Sequence, residues 1–339
     1  MNFLKLSKPE QLVILNQLQE KLKLTPAAIE KDLWVTAVLR ALFALPYAES
    51  LSFKGGTSLS KCWHLIERFS EDVDIAINRE YLGFSGQLSK TQISDRLRRA
   101  ACSFVRETLQ FDIAKQLETN GINPELFTVK VNITPISTTD PEIIEVEYKS
   151  LFEELGYIKR KVILEVSGRS MCEPLKSVKL QSLIDEEFPN EIFTEKAFEV
   201  QAVVPQRTFI EKICLLHEEF AKPLDLMRTE RMSRHLYDLV QIMDTPIAAE
   251  ALVNKELYNS VVEHRRVFVG LKGFDYNTLA PQSINIIPPA SIIDQWAEDY
   301  ENMQKTMIYG QSLPFNKLIA KIKQLNERIN KIDFLNINN

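Results

Sequence analysis

Two short motifs near the start of the chain contain residue types that could bind a phosphate chain and a metal ion. One reads Lys54-Gly-Gly-Thr-Ser58, and the other, Asp72-Val-Asp74, begins fourteen residues after Ser58. Residues two apart on a strand project from the same face, so Asp72 and Asp74 would present their carboxylates together. Carboxylate oxygens are ligands for Mg²⁺, and the N–H groups at the start of a helix bind phosphate. Together the motifs indicate nucleotidyl transfer from a nucleoside triphosphate.

The glycine motif needs a strand before it and a helix after it. We predict a short strand over 50–53 and a helix over 57–67. Only 10 glycines occur in 339 residues, so the adjacent pair Gly55-Gly56 indicates a backbone function, namely a close approach to phosphate. Thr57 or Ser58 could add a hydroxyl. The same residues are also typical of a tight strand-to-helix turn with Thr57 as N-cap, and both interpretations can hold together. The Walker A spacing is absent.

The aspartate motif needs a half-buried strand, which we predict over 71–77. With Val73, Ile75 and Ile77 buried on one face, the aspartates would lie on the other. Two carboxylates that close repel each other unless a cation lies between them. An isolated Asp-x-Asp is typical of a solvated polar face. The glycine motif, one helix length upstream, favours a metal site instead.

The rest of the chain predicts an α+β fold, with a mixed sheet in the first part and helices in the second. Alternating patterns predict strands over 127–134, 143–148 and 161–167. Helical patterns predict helices within 8–45, with Thr25 as an N-cap, and then over 89–119, 206–220, 229–243, 247–268, 290–309 and 314–332. We therefore predict an α/β domain over 1–204 and a helical domain over 205–339.

Composition limits the classes of protein that this chain can be. Its net charge of −5 argues against a protein that coats nucleic acid through its overall field. No apolar run reaches the length of a membrane span, and no signal-peptide core begins the chain, so we expect a cytoplasmic protein without membrane contact. The four cysteines and four histidines show no zinc-binding spacing.

Three further segments accompany the two motifs in a fixed order. They are Glu30-Lys-Asp-Leu-Trp-Val35, Glu211-Lys212 and Arg234-His-Leu-Tyr-Asp-Leu239. With Lys54-Gly-Gly-Thr-Ser-Leu59 and Arg68-Phe-Ser-Glu-Asp-Val-Asp74, this set resembles the AbiEii/AbiGii family of nucleotidyltransferase-like toxins, which includes the MenT toxins. The resemblance extends over roughly 25–245.

The resemblance implies a polymerase-β-like nucleotidyltransferase core followed by a helical C-terminal half. It implies Mg²⁺ or Mn²⁺ as cofactor and a nucleoside triphosphate as substrate, with RNA, in particular the 3′ end of tRNA, as acceptor. It also implies the toxin of a two-gene toxin–antitoxin pair with a cognate antitoxin, often linked to phage defence.

Two-metal transfer commonly uses three acidic ligands, so a third carboxylate is expected beside Asp72 and Asp74. We predict Glu165, because the strand that carries it buries its opposite face. Glu145 and Glu147 on the preceding strand are rivals, although their alternation also fits an exposed hairpin face.

The two later segments supply Lys212 and Asp238 as predicted catalytic residues. Lys212 lies near the apolar stripe of its helix, from which a lysine can reach a phosphate and offset developing charge. The alternative is an exposed lysine paired with Glu211 or Glu219. The resemblance makes Asp238 the acid of the last motif, which would orient Lys212 or contact the nucleotide. Its alternative is an exposed ion pair with Arg234.

Three arginines at intervals of three residues suggest one more phosphate contact. Arg228, Arg231 and Arg234 would form a ridge on the predicted helix 229–243. An exposed basic helix face is an equal alternative.

Two other functions remain open at this stage. A nucleotide-binding regulator would keep the pocket without transferring anything, although two aspartates and a lysine are more than binding needs. A transferase directed at a hydroxyl amino acid of a protein is also compatible, because nothing in the chain selects RNA as acceptor.

Overall fold

The computed structural model describes residues 1–70, 72–132, 142–153 and 159–334. The chain forms two compact units. The first comprises Met1–Cys62 and Phe69–Val203, and the second comprises Trp63–Arg68 and Val204–Asn339. The predicted domains, 1–204 and 205–339, stay a prediction. The short segment Trp63–Arg68, between the two sequence motifs, is grouped with the later part of the chain.

The first unit is built on a mixed seven-stranded sheet with the order β3-β4-β5-β2-β1-β7-β6. Its strands are β1 (Leu51–Lys54), β2 (Asp72–Ile77), β3 (Phe127–Asn132), β4 (Glu142–Tyr148), β5 (Lys161–Ser167), β6 (Leu175–Leu180) and β7 (Phe198–Val203). The central pair β1–β2 is antiparallel, while β2–β5 and β1–β7 are parallel. Both motifs therefore lie at the centre of the sheet, and the predicted mixed sheet is confirmed.

The helices of the first unit, within the described ranges, are α1 (Lys8–Leu22), α2 (Pro26–Leu42), α3 (Gly55–Lys61), α4 (Arg98–Phe104), α5 (Gln110–Thr119) and α6 (Leu183–Glu187). Wider π-helical turns, Gln92–Leu97 and Val105–Leu109, precede α4 and α5. Helix α2 starts as predicted, because the Thr25 hydroxyl accepts a hydrogen bond from the Ala28 N–H at 3.2 Å. Nearly all of α2 is buried.

The second unit is helical, as predicted for the C-terminal half. Its helices, in the part that the structure describes, are α7 (Pro205–Phe220), α8 (Ser233–Ile242), α9 (Pro246–Val253), α10 (Lys255–His264), α11 (Ile293–Thr306) and α12 (Phe315–Asn330). A π-helical turn, Arg265–Val269, continues α10. None of the described helices is both long enough and apolar enough to cross a membrane.

Several predicted boundaries were wrong for identifiable reasons. The helix predicted over 57–67 ends at Lys61, because the following segment belongs to the second unit. The helix predicted over 247–268 is broken at Asn254, whose side chain caps α10 by accepting from the Leu257 N–H at 2.9 Å. Strands β6 and β7 were not predicted. Residues 71, 133 and 134 of two predicted strands lie outside the described ranges.

Candidate active site

Strand β2 carries the two aspartates on one face, as its alternation predicted. Val73 and Ile75 are buried on the opposite face, at 0% and 1% exposure. Asp72 and Asp74 are half-buried. The pleat of the strand thus aims both carboxylates away from the core.

Strand register sets a line of charged residues across the centre of the sheet. Lys54 on β1 is the antiparallel partner of Asp74 on β2. Glu165 on β5 is the parallel partner of Asp74 on its other side. Directly paired residues project from the same face, so Lys54, Asp74 and Glu165 form one row.

The two rival glutamates lie further away and have other partners. Glu145 is paired across β4 and β5 with Ile163, and its carboxylate lies 2.6 Å from the Lys161 ammonium. Glu147 forms an exposed ion pair of 2.8 Å with Lys130. Of the three candidates, Glu165 alone is the direct neighbour of an aspartate of the motif. Its role as a third metal ligand stays a prediction.

Gly55 makes room for the Asp74 carboxylate. Its backbone has φ +78°, in the left-handed region that favours glycine. A β-carbon at this position would overlap the Asp74 Oδ2 atom and lie 2.7 Å from Asp74 Cγ. The glycine turn and the aspartate strand are therefore packed directly together, with the carboxylate against bare backbone.

The hydroxyl residues of the glycine motif are tied into the fold. Helix α3 begins at Gly55, with Lys54 at the N-cap position and without a side-chain cap. The predicted N-cap, Thr57, lies inside the helix instead, and its hydroxyl donates to the backbone carbonyl of Asp72. Thr57 and Ser58 are each 1% exposed. Thr57 therefore joins α3 to β2, and phosphate binding by Gly56, Thr57 and Ser58 stays a prediction.

The chemistry of this face fits a hard divalent cation. No three His, Cys, Asp or Glu side chains in the described ranges are placed to hold a metal ion together. Mg²⁺ rarely needs such a set, because it is usually bound through one or two carboxylates plus substrate phosphates. Asp72 and Asp74, beside a glycine that leaves space for oxygen atoms, satisfy that pattern.

The second unit contains a buried ionic cluster around Asp238. Arg68 donates from Nε to Oδ1 at 2.7 Å and from Nη2 to Oδ2 at 2.8 Å. The Lys212 ammonium lies 2.8 Å from Oδ2 of the same carboxylate and 3.3 Å from His235 Nδ1. All four side chains are buried. Asp238 is thus shared between two cations.

Burial and charge determine the protonation of this cluster. Burial would raise the pKa of Asp238, but the charges of Arg68 and Lys212 outweigh it and hold that pKa well below its usual range. Burial and the neighbouring cations Lys212 and Arg234 lower the pKa of His235, so its imidazole is neutral. Burial also lowers the pKa of Lys212, and the Asp238 carboxylate opposes that shift.

The alternative interpretations of Lys212 and Asp238 were both wrong. Lys212 is buried and paired with Asp238, while Glu211 pairs with Arg207 at 2.7 Å and Glu219 pairs with Arg228 at 2.7 Å. Asp238 is fully buried, so it forms no exposed ion pair. Asp238 pairs with Lys212, and its role in orienting Lys212 or contacting the nucleotide stays a prediction.

Sequence reasoning assigned no role to two members of this cluster, His235 and Arg68. Arg68 lies 170 residues from Asp238 in the chain, so no local pattern links the two. Two clues could have pointed to Arg68. It is the first residue of the segment Arg68-Phe-Ser-Glu-Asp-Val-Asp74, and a buried carboxylate such as that of Asp238 needs a cation as its partner.

The predicted arginine ridge is not formed. Helix α8 begins at Ser233, so Arg228 and Arg231 precede it. Arg228 instead donates to Glu219 from its backbone N–H and its guanidinium. Without a common helix, the spacing of three residues places no ridge on one face.

Comparison with known proteins gives a match to one protein family and a similarity to a solved structure. Residues 37–322 match the protein family described as nucleotidyl transferase AbiEii toxin, type IV TA system. Among solved structures, the nucleotidyltransferase toxin MenT4 from Mycobacterium tuberculosis H37Rv is similar over 96% of this chain and 99% of that chain, with 14% identity and a TM-score of 0.44. A TM-score this low carries no inference for this chain. No curated protein sequence matches it.

Proposed function

The chain belongs to the AbiEii family of nucleotidyltransferase toxins of type IV toxin–antitoxin systems, and from this premise we propose that it transfers a nucleoside monophosphate from a nucleoside triphosphate to RNA. We propose the 3′ end of tRNA as acceptor. One observation supports this site above all: the Asp74 carboxylate lies against the bare backbone of Gly55, in the same row as Glu165.

Asp72 and Asp74 are the residues that would hold Mg²⁺ or Mn²⁺, with Glu165 as the proposed third ligand. A divalent ion at this place lowers the pKa of an attacking hydroxyl and stabilises negative charge on the transferred phosphate. Two half-buried carboxylates on one strand supply the hard oxygen ligands that these ions prefer.

The protein's own residues would bind and orient the nucleotide. The Gly55–Ser58 backbone offers N–H groups to the phosphate chain, and the φ of Gly55 permits close approach. Lys54, half-buried and opposite Asp74, would balance charge in the first unit. We also propose Lys212, which is paired with Asp238, as a catalytic residue that offsets developing negative charge.

A transfer assay tests the proposal. The protein is incubated with each α-labelled nucleoside triphosphate, Mg²⁺ or Mn²⁺, total tRNA and cell protein, and the label is followed into each fraction. We expect label in RNA, lost on addition of EDTA and absent with Asp74→Asn. Glu147→Gln is the matched control, since it removes an exposed carboxylate of the same sheet whose ion pair with Lys130 lies apart from the motif.

Each result has a distinct meaning. Label found in the protein fraction would show that the acceptor is a protein and not RNA. Nucleotide binding without transfer, for all four nucleotides, would make the chain a regulator. Full transfer by Asp74→Asn would exclude chemistry at β2.

The biological part of the proposal concerns toxicity. We propose that the chain inhibits growth from the cytoplasm, that a cognate antitoxin relieves the inhibition, and that the pair acts in phage defence. Expression of the wild type should arrest growth, whereas Asp74→Asn should not. Co-expression of the neighbouring gene should restore growth and, in its native pair, reduce phage plaques.

A further inference from the structure

Asp32, on helix α2, joins three helices of the first unit. One of its carboxylate oxygens, Oδ1, is paired with the ammonium of Lys61 at the end of α3, and each of these two side chains is 10% exposed. The other oxygen, Oδ2, accepts a hydrogen bond of 2.8 Å from the backbone N–H of Leu183, the first residue of α6. That N–H has no partner within its own helix. Asp32 is therefore held on two sides and fixes the end of α3 against α2 and α6.

The opposite end of α3 lies at the candidate active site. Gly55, its first residue, leaves the space that the Asp74 carboxylate occupies. Thr57, two residues later, donates from its hydroxyl to the backbone carbonyl of Asp72. A helix of seven residues is too short to be stable by itself, so its position depends on contacts with the rest of the protein. A displacement of the Lys61 end is therefore transmitted to the residues around the two aspartates.

The chain leaves the first unit directly after this ion pair. Cys62 belongs to the first unit, and the following segment, Trp63–Arg68, belongs to the second. The Lys61 side chain thus anchors α3 to its own unit at the point where the chain passes to the other. Glu186 on α6 is a second acid near Lys61: burial raises its pKa, and the charge of Lys61 opposes that shift. Because Glu186 could accept Lys61 when Asp32 is changed, replacing Lys61 is the stricter test.

We propose that Asp32 and Lys61 are positioning residues for the transfer reaction: their ion pair holds α3 so that Gly55 and Thr57 keep the two aspartates of β2 in place for a divalent ion. This inference rests on the proposed function and extends it to residues outside the candidate active site. Neither Asp32 nor Lys61 is assigned a contact with the ion or the nucleotide. Residues that orient metal ligands from behind change metal affinity when they are replaced.

The experiment compares Lys61→Met with Arg106→Met. Arg106 forms an ion pair of 2.9 Å with the buried carboxylate of Glu142, also in the first unit, so both variants remove the cation of a buried acid. Equilibrium binding of Mn²⁺ is measured by electron paramagnetic resonance without RNA, together with Tm and with kcat and KM for transfer. Binding of the ion reports on the aspartates independently of the reaction.

We expect Lys61→Met to weaken Mn²⁺ binding about tenfold, as for loss of a residue that orients metal ligands. Its kcat should fall about 100-fold, because the reacting groups are misplaced, while KM for the nucleotide changes less. Arg106→Met should lower Tm by a similar amount but leave Mn²⁺ binding and kcat unchanged. Lys61→Arg keeps the positive charge, so its Mn²⁺ binding should lie between that of Lys61→Met and that of the wild type.

A double-mutant cycle tests whether the two residues act together. If Asp32 and Lys61 act as a pair, adding Asp32→Asn to Lys61→Met should weaken Mn²⁺ binding no further, whereas additive losses would contradict the pair. Should Lys61→Met fail to fold, Asp32→Asn gives the same comparison, because asparagine keeps an oxygen for the Leu183 N–H.

The remaining outcomes separate this inference from the proposed function. Unchanged Mn²⁺ binding in Lys61→Met, or an equal loss in Arg106→Met, would overturn the inference, while transfer by the wild type would still support the proposed function. A wild type that neither binds Mn²⁺ nor transfers a nucleotide would overturn the proposed function, and this inference with it.

Discussion

Asp74 and Gly55 depend on each other at the scale of single atoms. The carboxylate occupies the space that a β-carbon of residue 55 would fill, and the backbone there has φ +78°. A side chain at residue 55 would therefore have two effects at once: it would strain the backbone and displace the Asp74 carboxylate.

We predict that Gly55→Ala lowers the free energy of unfolding by about 1–3 kcal/mol, from backbone strain and contact with Asp74. Nucleotide transfer should fall at least about 100-fold, since Asp74 is displaced. Denaturant unfolding and the transfer assay measure both. Gly83→Ala is the control, because Gly83 has φ +85° but nothing within 4 Å of an added β-carbon. Equal activity losses in the two variants would show that the Asp74 contact is unimportant.

Asp238 is the residue whose loss should cost the most stability. We predict that Asp238→Asn lowers the free energy of unfolding by about 3–5 kcal/mol, because two buried cations lose their counterion. Denaturant unfolding measures the change. Asp244→Asn, which removes a 60% exposed carboxylate paired with Lys321 and Arg328, should cost less than about 1 kcal/mol. A similarly small cost for Asp238→Asn would contradict the structure of the cluster.

At the scale of secondary structure, the parallel register of β2 and β5 distinguishes one glutamate from its rivals. Asp74 pairs with Glu165, whereas Glu145 pairs with Ile163 and contacts Lys161. A shift of one residue in this register would send Glu165 to the opposite face.

We therefore predict that Glu165→Gln lowers transfer about tenfold or more and raises the Mg²⁺ concentration needed for half-maximal rate, because a negative ligand is lost. Glu145→Gln, on the same face of the neighbouring strand, should change neither quantity appreciably. Steady-state rates over a Mg²⁺ titration provide the measurement. The reverse order of effects would transfer the role of third ligand to Glu145.

At the scale of the whole molecule, two buried histidines make stability depend on pH. Burial lowers the pKa of both His217 and His235, and the cation Lys212 lowers that of His235 further. The unfolded chain protonates such a histidine at its ordinary pKa near 6.5, whereas the folded protein resists protonation until a lower pH. The free energy of unfolding therefore decreases as the pH falls below about 6.5.

We predict that the free energy of unfolding decreases from pH 7 towards pH 5, by at most about 1.4 kcal/mol per pH unit for each histidine. Asp238 adds to the loss only at more acidic pH, below the ordinary aspartate range, since its folded-state pKa is depressed. Denaturant unfolding at several pH values tests this. His235→Gln should flatten the dependence, because it removes one of the two histidines with a lowered pKa. A flat profile for the wild type would contradict the prediction.

Features that depend on residues close together in the chain were predicted, and features that depend on distant residues were not. The Thr25 cap and the alternation of β2 are local, and both were predicted correctly. The end of α3 at Lys61 was not, because the segment Trp63–Arg68 belongs to the second unit, where Arg68 forms a β-bridge with Ile308. Edge strand β6 was missed because three of its six residues, Leu175–Leu180, are exposed and two of those are lysines.

The amino-acid order alone determined the family, the acidic strand, the glycine turn and the helical second part, since each depends on residue types within a few positions of one another. Tertiary structure decided that Asp74 lies beside Glu165 and against Gly55, and that Arg68 shares Asp238 with Lys212. These pairings join segments distant in the chain, and strand order and buried charge, rather than local periodicity, select them.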